Sequence, residues 1–200
     1  MVKLNGKGIM LMVNFMNFNN IINKIKEINN NIKFVCSFDE NNLKTGYWED
    51  YYDNDELYCK GNYINGKAEG YWEYFYRNGN LRDKGNYVNG YRDGYWEKYW
   101  EGNYLNGNVA WKGNYINGNV NGHWEWYYKN GKLSEKGNYV NGLREGYWEK
   151  YWEDYYHNGN LAWKGDYVNG LREGYWEFYY SNGNIELRGN YINGKFYEIK

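Results

Sequence analysis

The chain has 200 residues, with 27 Tyr, 11 Trp, 26 Gly and no Pro, and its 24 basic residues balance 25 acidic ones to a net charge of −1. Such aromatic content excludes a disordered chain, and the interleaved, balanced charge leaves no electrostatic footprint for nucleic acid or for an anionic membrane. Two cysteines, Cys36 and Cys59, are too few for a disulfide framework and read as free thiols of an intracellular protein, expected in the cytoplasm, or in the host cytoplasm if the source is viral.

The first apolar run, Ile9 to Val13, is too short to span a bilayer, and no small-residue cleavage pattern follows it. Phe18, Ile21, Ile22, Ile25 and Ile28 fall on one helical face. They predict a short helix over residues 17–29 that caps the open edge of a sheet, within an N-terminal segment 1–32. Phe34 to Phe38 reads as a lone return strand, where an array over 33–200 begins.

From there the phrase Gly-Tyr-Trp-Glu recurs at Gly46, Gly70, Gly94, Gly146 and Gly174, with His123 in the Tyr place of the copy at Gly122. The steps are 24, 24, 28, 24 and 28 residues, and a fixed period of this size is the signature of a repeat array. In the copy at Gly70, an aromatic strand, Tyr71 to Tyr76, precedes Asn78-Gly79 and a return strand, Leu81 to Tyr87. Asn-Gly suits both positive-φ positions of a type I′ hairpin turn. That turn makes Glu73 face Lys84, Trp72 face Gly85 and Gly70 face Tyr87, and the same pairs recur as Glu49/Lys60, Glu125/Lys136 and Glu177/Arg188. Alternation puts Gly70, Trp72, Tyr74, Tyr76, Leu81, Gly85 and Tyr87 on a packed face, and Tyr71, Glu73, Phe75, Arg82, Lys84 and Asn86 on a solvated face of charge pairs.

A second Asn-Gly closes each copy, from Asn65-Gly66 to Asn193-Gly194, so the strands are expected to meander. Thirteen or fourteen strands, at about 4.8 Å each, make an elongated sheet of roughly 60 Å. In the two 28-residue copies the Tyr-Trp-Glu is doubled. The second one of each doublet is expected to keep the register, pairing Glu101 with Lys112, Trp100 with Gly113, Glu153 with Lys164 and Trp152 with Gly165. Residues 94–121 and 146–173 match at 19 of 28 positions, which marks a duplicated 52-residue block. Phe196 to Ile199 reads as a closing strand.

Gly70-Tyr71-Trp72, Phe75-Tyr76, Asn78-Gly79, Leu81, Gly85, Tyr87 and Gly90 resemble the MORN repeat, in the variant written Gly-x-Trp-x-x-Tyr-Tyr-x-x-Asn-Gly. The resemblance covers residues 33–200, with the doublets and Asn54-Asp55 as departures. It implies an all-β, single-layer antiparallel hairpin array without enzymatic activity, serving as a protein-interaction or membrane-linked scaffold, in some members a dimer. Arrays of this kind occur in bacterial antitoxin-like proteins and in giant viruses.

No residue set points to catalysis. Each repeated Glu has a base opposite, which makes an ion-pair ladder; His123 and His157 lack a second ligand at metal spacing; and no Ser or Cys lies in a nucleophile motif. No cofactor is expected. The aromatic columns are first a core, and second a groove for a protein partner or ligand. The candidate groove residues are Trp72, Trp124 and Trp176, with Trp100, Trp111, Trp152 and Trp163 beside the doublets as the foremost patch. Phe196, Tyr197 and Ile199 are candidates for end-to-end pairing with a second copy. A non-catalytic scaffold is the leading expectation. Carbohydrate or choline-type binding in the groove is the alternative, and membrane-lipid tethering is not favoured by the neutral charge.

Overall fold

The computed structural model describes residues 3–5, 8–10, 37–102, 107–153 and 159–199. The helix predicted over 17–29 lies outside these residues. A separate hairpin joins β1 (Lys3–Asn5) to β2 (Gly8–Met10). All other described strands form one antiparallel sheet of fourteen in which spatial order follows chain order. It begins with β3 (Ser37–Phe38) and ends with β16 (Lys195–Glu198). Between them lie six hairpins: β4 (Lys44–Tyr51) with β5 (Leu57–Ile64), β6 (Lys67–Phe75) with β7 (Leu81–Val88), and β8 (Tyr91–Tyr99) with β9 (Val109–Ile116). The remaining three are β10 (Asn119–Tyr127) with β11 (Leu133–Val140), β12 (Leu143–Tyr151) with β13 (Leu161–Val168), and β14 (Leu171–Tyr179) with β15 (Ile185–Ile192).

The predicted pairs hold away from the turn: Gly70 faces Tyr87, Trp72 faces Gly85 and Glu73 faces Lys84. The turn itself differs. Only Gly79 of Asn78-Gly79 has positive φ, the Gly79 N–H donates to Tyr76 O, and the Tyr76 N–H donates to Asn80 O. This is a three-residue loop with its last residue left-handed. The partner numbers slip by one beside it, at Tyr74/Phe75, which restores the expected register. Asp55 takes the left-handed place in the first hairpin, with φ 63°. The two-residue turns are instead the second set: Asn65 and Gly66, at φ 48° and 76°, join paired Ile64 and Lys67, and five more turns repeat this.

The doublets correct a second expectation. Trp96 faces Gly113 and Glu97 faces Lys112, and Trp148 faces Gly165 and Glu149 faces Lys164. The first Tyr-Trp-Glu keeps the register, and the four additional residues enlarge the loop, closed by Trp100 N–H to Asn108 O and by Trp152 N–H to Asn160 O.

The reason lies in the contact between the Trp and Gly columns. A Cβ on Gly113 would lie 2.3 Å from the Trp124 ring, and one on Gly137 would lie 2.1 Å from Trp148. Each ring therefore covers the glycine of the preceding hairpin rather than of its own. A bulge aims it there. Between Asn86/Asp93 and Gly85/Trp96, the pair Gly94-Tyr95 is squeezed out of the ladder, with Gly94 at φ 70°. The freed Asn86 carbonyl accepts the Trp96 indole N–H at 2.9 Å, and Trp72, Trp124, Trp148 and Trp176 repeat the bond at 3.0 to 3.1 Å. Gly85-type glycines thus make room, whereas Gly94-type glycines supply a conformation. Only the second kind have open space where a Cβ would sit. Sliding the register by four residues would forfeit both the ring–glycine contact and the indole bond.

Candidate functional site

The packed face is the core. Trp72, Trp96, Trp148 and Trp176 are almost fully buried, and Tyr87, Tyr115, Tyr139 and Tyr167 meet the next Trp edge to face at 5.0 to 5.1 Å. Own cations cover the outer faces of several rings: Arg92 lies 4.1 Å from Trp96, Arg144 4.2 Å from Trp148 and Arg172 4.7 Å from Trp176. Arg82 and Arg92 also bracket the buried Asp83 carboxylate, at 2.7 and 3.1 Å. Of the predicted groove residues, Trp72, Trp124 and Trp176 are therefore sealed inside. Trp111 and Trp163 are half-buried, tilted against Trp124 and Trp176 at 5.2 and 5.3 Å.

Trp100 and Trp152 have a different place. Tyr52, Tyr76 and Tyr128 each donate a hydroxyl to a backbone carbonyl of the next hairpin, Phe75 O, Tyr99 O and Tyr151 O, at 2.6 to 2.8 Å. Trp100 and Trp152 stand in the same column and do the same through Nε1, to Tyr127 O at 3.0 Å and Tyr179 O at 2.9 Å. They are staples between repeats, at the loop end of the sheet.

The other face carries the charge ladder, with one change from the expected pairing. Lys60, Lys84, Lys112, Lys136 and Lys164 close on Glu73, Glu97, Glu125, Glu149 and Glu177 of the following hairpin, at 2.7 to 3.1 Å. The following strand offers a ring as well as a carboxylate: Lys112 lies 5.3 Å from the Tyr127 ring and Lys164 5.7 Å from Tyr179. Tyrosine hydroxyls clamp the same glutamates, as Tyr95 and Tyr99 do Glu97 at 2.9 and 2.5 Å. Partial burial alone would push the Glu125 carboxyl up, but hydrogen bonds from Lys112 and Tyr127 outweigh it and hold the pKa at about 2. Glu177 is also held at about 2, chiefly by the Lys164 hydrogen bond and then by Tyr179. His123 replaces a tyrosine of this clamp, with Nε2 at 3.4 Å from Glu125. Among the described residues no His, Cys, Asp and Glu cluster is suited to a metal ion. Cys59 is a buried free thiol whose pKa is pushed up to about 11 by burial and then by Asp50.

Sequence reasoning missed one feature of this face. Ile64, Val88, Ile116, Val140, Val168 and Ile192 precede the two-residue turns, and Tyr91, Leu143 and Leu171 follow them; all are exposed. The legible signal was the Ile or Val standing before every second Asn-Gly. At the C-terminal end, Phe196 is core: it meets Tyr191 at 5.0 Å and takes the place over Gly189 that Trp takes elsewhere. Tyr197, on the last described strand, and Ile199, just past its end, are exposed.

Comparison with known proteins agrees with this architecture. No curated protein matches the chain. Four stretches match the family described as MORN repeat variant: residues 44–65, 68–89, 120–141 and 172–193. The two hairpins between them without a match are those with the enlarged loop, and they keep the Trp-to-Gly register, have their glycines covered by the next Trp and make staples to the next hairpin. The chain is a MORN repeat protein.

Proposed function

We propose that the protein is a non-catalytic scaffold that works through protein contacts and joins end to end with a second copy through β16. Repeats of this family are in general protein- and membrane-interaction modules, and the core of this chain is a ladder of identical contacts rather than a single reactive centre. The observation that carries the end-to-end reading is the outer edge of β16, which pairs with no strand among the described residues. Ile199 N–H donates inward to Arg188 O, so by alternation the N–H groups of Phe196 and Glu198 point outward, between exposed Tyr197 and Ile199. An unpaired, uncovered edge strand is a template for a second strand. Quaternary-ammonium or sugar recognition is less well supported, because the ring faces of Trp96, Trp148 and Trp176 already hold the protein's own guanidinium groups.

Light scattering after size exclusion, with small-angle X-ray scattering, tests this. A dimer about twice as long as the monomer is expected. Glu198→Pro removes only an outward N–H and leaves the β15 pairing intact, so it should give a folded monomer. A wild-type monomer, or a dimer indifferent to Glu198→Pro, would reject end pairing.

A further inference from the structure

The exposed apolar row on the charged face is interrupted by Lys67 on β6, Asn119 on β10 and Lys195 on β16. Its longest unbroken run is Val140, Leu143, Val168, Leu171 and Ile192, one residue on each of five consecutive strands, β11 to β15. Each is between 46 and 64 % exposed. Val140 faces Leu143 and Val168 faces Leu171 across the two-residue turns, so all five point the same way.

The same face also holds a polar set, Asn138, Glu145, Asp166, Glu173 and Asn190, that interleaves with the run: the continued registers put Glu145 opposite Val168 and Glu173 opposite Ile192. It contains three acids and no base. Asp166 and Glu173 are direct cross-strand partners, an arrangement that is destabilising for like charges. Neither carboxylate has an ion-pair partner among the described residues, whereas the lysines of this face are committed to the ladder beyond, as Lys136 to Glu149 and Lys164 to Glu177. Glu145 accepts one bond, from Asn169 N–H at 2.8 Å.

We infer that this strip, from β11 to β15, docks an amphipathic α-helix of a partner protein whose apolar stripe is flanked by Lys or Arg, laid across the strands. Spacing supports a helix. Adjacent strands are about 4.8 Å apart, and apolar residues recurring every three to four positions of a helix are about 5.2 Å apart along its axis. The steps Val140 to Leu143 and Val168 to Leu171 are direct and those between hairpins are diagonal, so the run spans at least roughly 19 Å, the length of about 13 helical residues. Charge supports the sign of the flank, since a cationic helix edge would relieve the Asp166/Glu173 repulsion. The strip lies on the opposite face from the tryptophan core and does not involve the outer edge of β16, so it stands apart from end pairing.

Fluorescence anisotropy with a synthetic Leu/Lys amphipathic helix tests it, beside a scrambled Leu/Lys peptide and a Leu/Glu helix. The full chain should bind the Leu/Lys helix in preference to both others. Leu143→Ser with Leu171→Ser should weaken binding by roughly tenfold or more, as loss of two half-buried leucine contacts implies. Asp166→Asn with Glu173→Gln should weaken it and lower its salt dependence. Ile64→Ser, on the same face but outside the run, should change nothing. Equal binding of the scrambled peptide, or indifference to the leucine pair in a variant that unfolds like wild type, would overturn the proposal. So would light scattering in which the leucine pair turns a dimer into a monomer, because the strip would then belong to a second copy.

Discussion

The two ends of each hairpin are built differently, and only one of them varies. At the end that joins one repeat to the next, every turn is Asn-Gly with both residues left-handed. The turn Gly N–H there continues the ladder of the strand behind it, as Gly66 does to Lys44 O, Gly118 to Arg92 O and Gly170 to Arg144 O. An insertion would break a backbone bond of the preceding hairpin. At the other end the loop takes three residues in four hairpins, and residues 101–107 and 153–159 in the other two. Neighbouring loops are tied there by side chains: Tyr hydroxyls, the indoles of Trp100 and Trp152, and amides such as Asn108 Nδ2 to Lys129 O at 2.8 Å. A flexible tie tolerates a change of loop length; a ladder bond does not. Chain length therefore changed where the inter-repeat contacts are side-chain contacts.

The largest test asks whether register resides in the middle of the strands. Trp148→Ala should cost about 3–5 kcal/mol, since a fully buried ring, its edge-to-face tyrosine and its indole bond are lost together. Trp152→Tyr, at the variable end, should cost less than about 1 kcal/mol, because tyrosine makes the same staple in the copies at Tyr76 and Tyr128. Urea unfolding of the two variants separates them. Comparable losses would mean that the loop end, not the Trp column, holds the register.

The next test separates the two kinds of glycine. Gly137→Ala places a methyl 2.1 Å from the Trp148 ring and should destabilise by about 3 kcal/mol through overpacking. Gly146→Ala meets open space and costs only its left-handed conformation, at φ 67°, about 1 kcal/mol. If the second substitution proved the more damaging, the bulge rather than the ring–glycine contact would be the sensitive element.

This division explains what could be read from the sequence. The period, the strands, the face of most residues and the pairs Trp72/Gly85 and Glu73/Lys84 were legible, because a period of two and a repeated spacing determine them; Arg82, assigned by alternation to the solvated face, instead lies over the Tyr74 ring and bonds the buried Asp83. The two Asn-Gly sets were not distinguishable. Asn78-Gly79 and Asn65-Gly66 are the same dipeptide, and which one is the two-residue turn depends on the compensating one-residue slip beside Leu81. The doublets were misassigned because Tyr95-Trp96-Glu97 and Tyr99-Trp100-Glu101 are identical words, and both counts put a Glu opposite Lys112. Only the bulge at Gly94 decides, because it sends the Trp96 indole to Asn86 of the preceding hairpin, a contact across repeats that no single repeat displays. The exposed row from Val140 to Ile192 was visible as residues but not as a surface until the turns placed it on one face.

A third test concerns charge between hairpins of the two kinds. Lys112 and Lys164 belong to the enlarged-loop hairpins, and their partners Glu125 and Glu177 to the ones that follow. Both carboxyls are held at about 2, against about 4.3 for an unfolded chain. A depressed folded-state value adds stability that is present above pH 4.3 and is lost as the pH falls toward 2. The urea midpoint should therefore decline mainly between about pH 4.5 and 2, and Glu125→Gln with Glu177→Gln should lower it at pH 7 while flattening that decline. An unchanged acid slope would show that these pairs do not couple the two kinds of hairpin.

The smallest effect is expected where the two kinds of hairpin differ most in sequence. Deleting residues 103–106 turns the third hairpin from the long form into the short one. If register belongs to the Trp and Gly columns, Trp96 still faces Gly113 and Glu97 still faces Lys112, and only the closure entropy of the loop changes. Shortening from seven residues to three alters that term by less than about 1 kcal/mol. The shortened protein should unfold at nearly the wild-type urea midpoint with an unchanged denaturant slope. It should also keep the near-ultraviolet circular dichroism of its stacked indoles. A large loss of stability, or a changed aromatic spectrum, would mean that the second Tyr-Trp-Glu takes part in setting the register, and that the long hairpins are a distinct structural type rather than ordinary repeats with a longer loop.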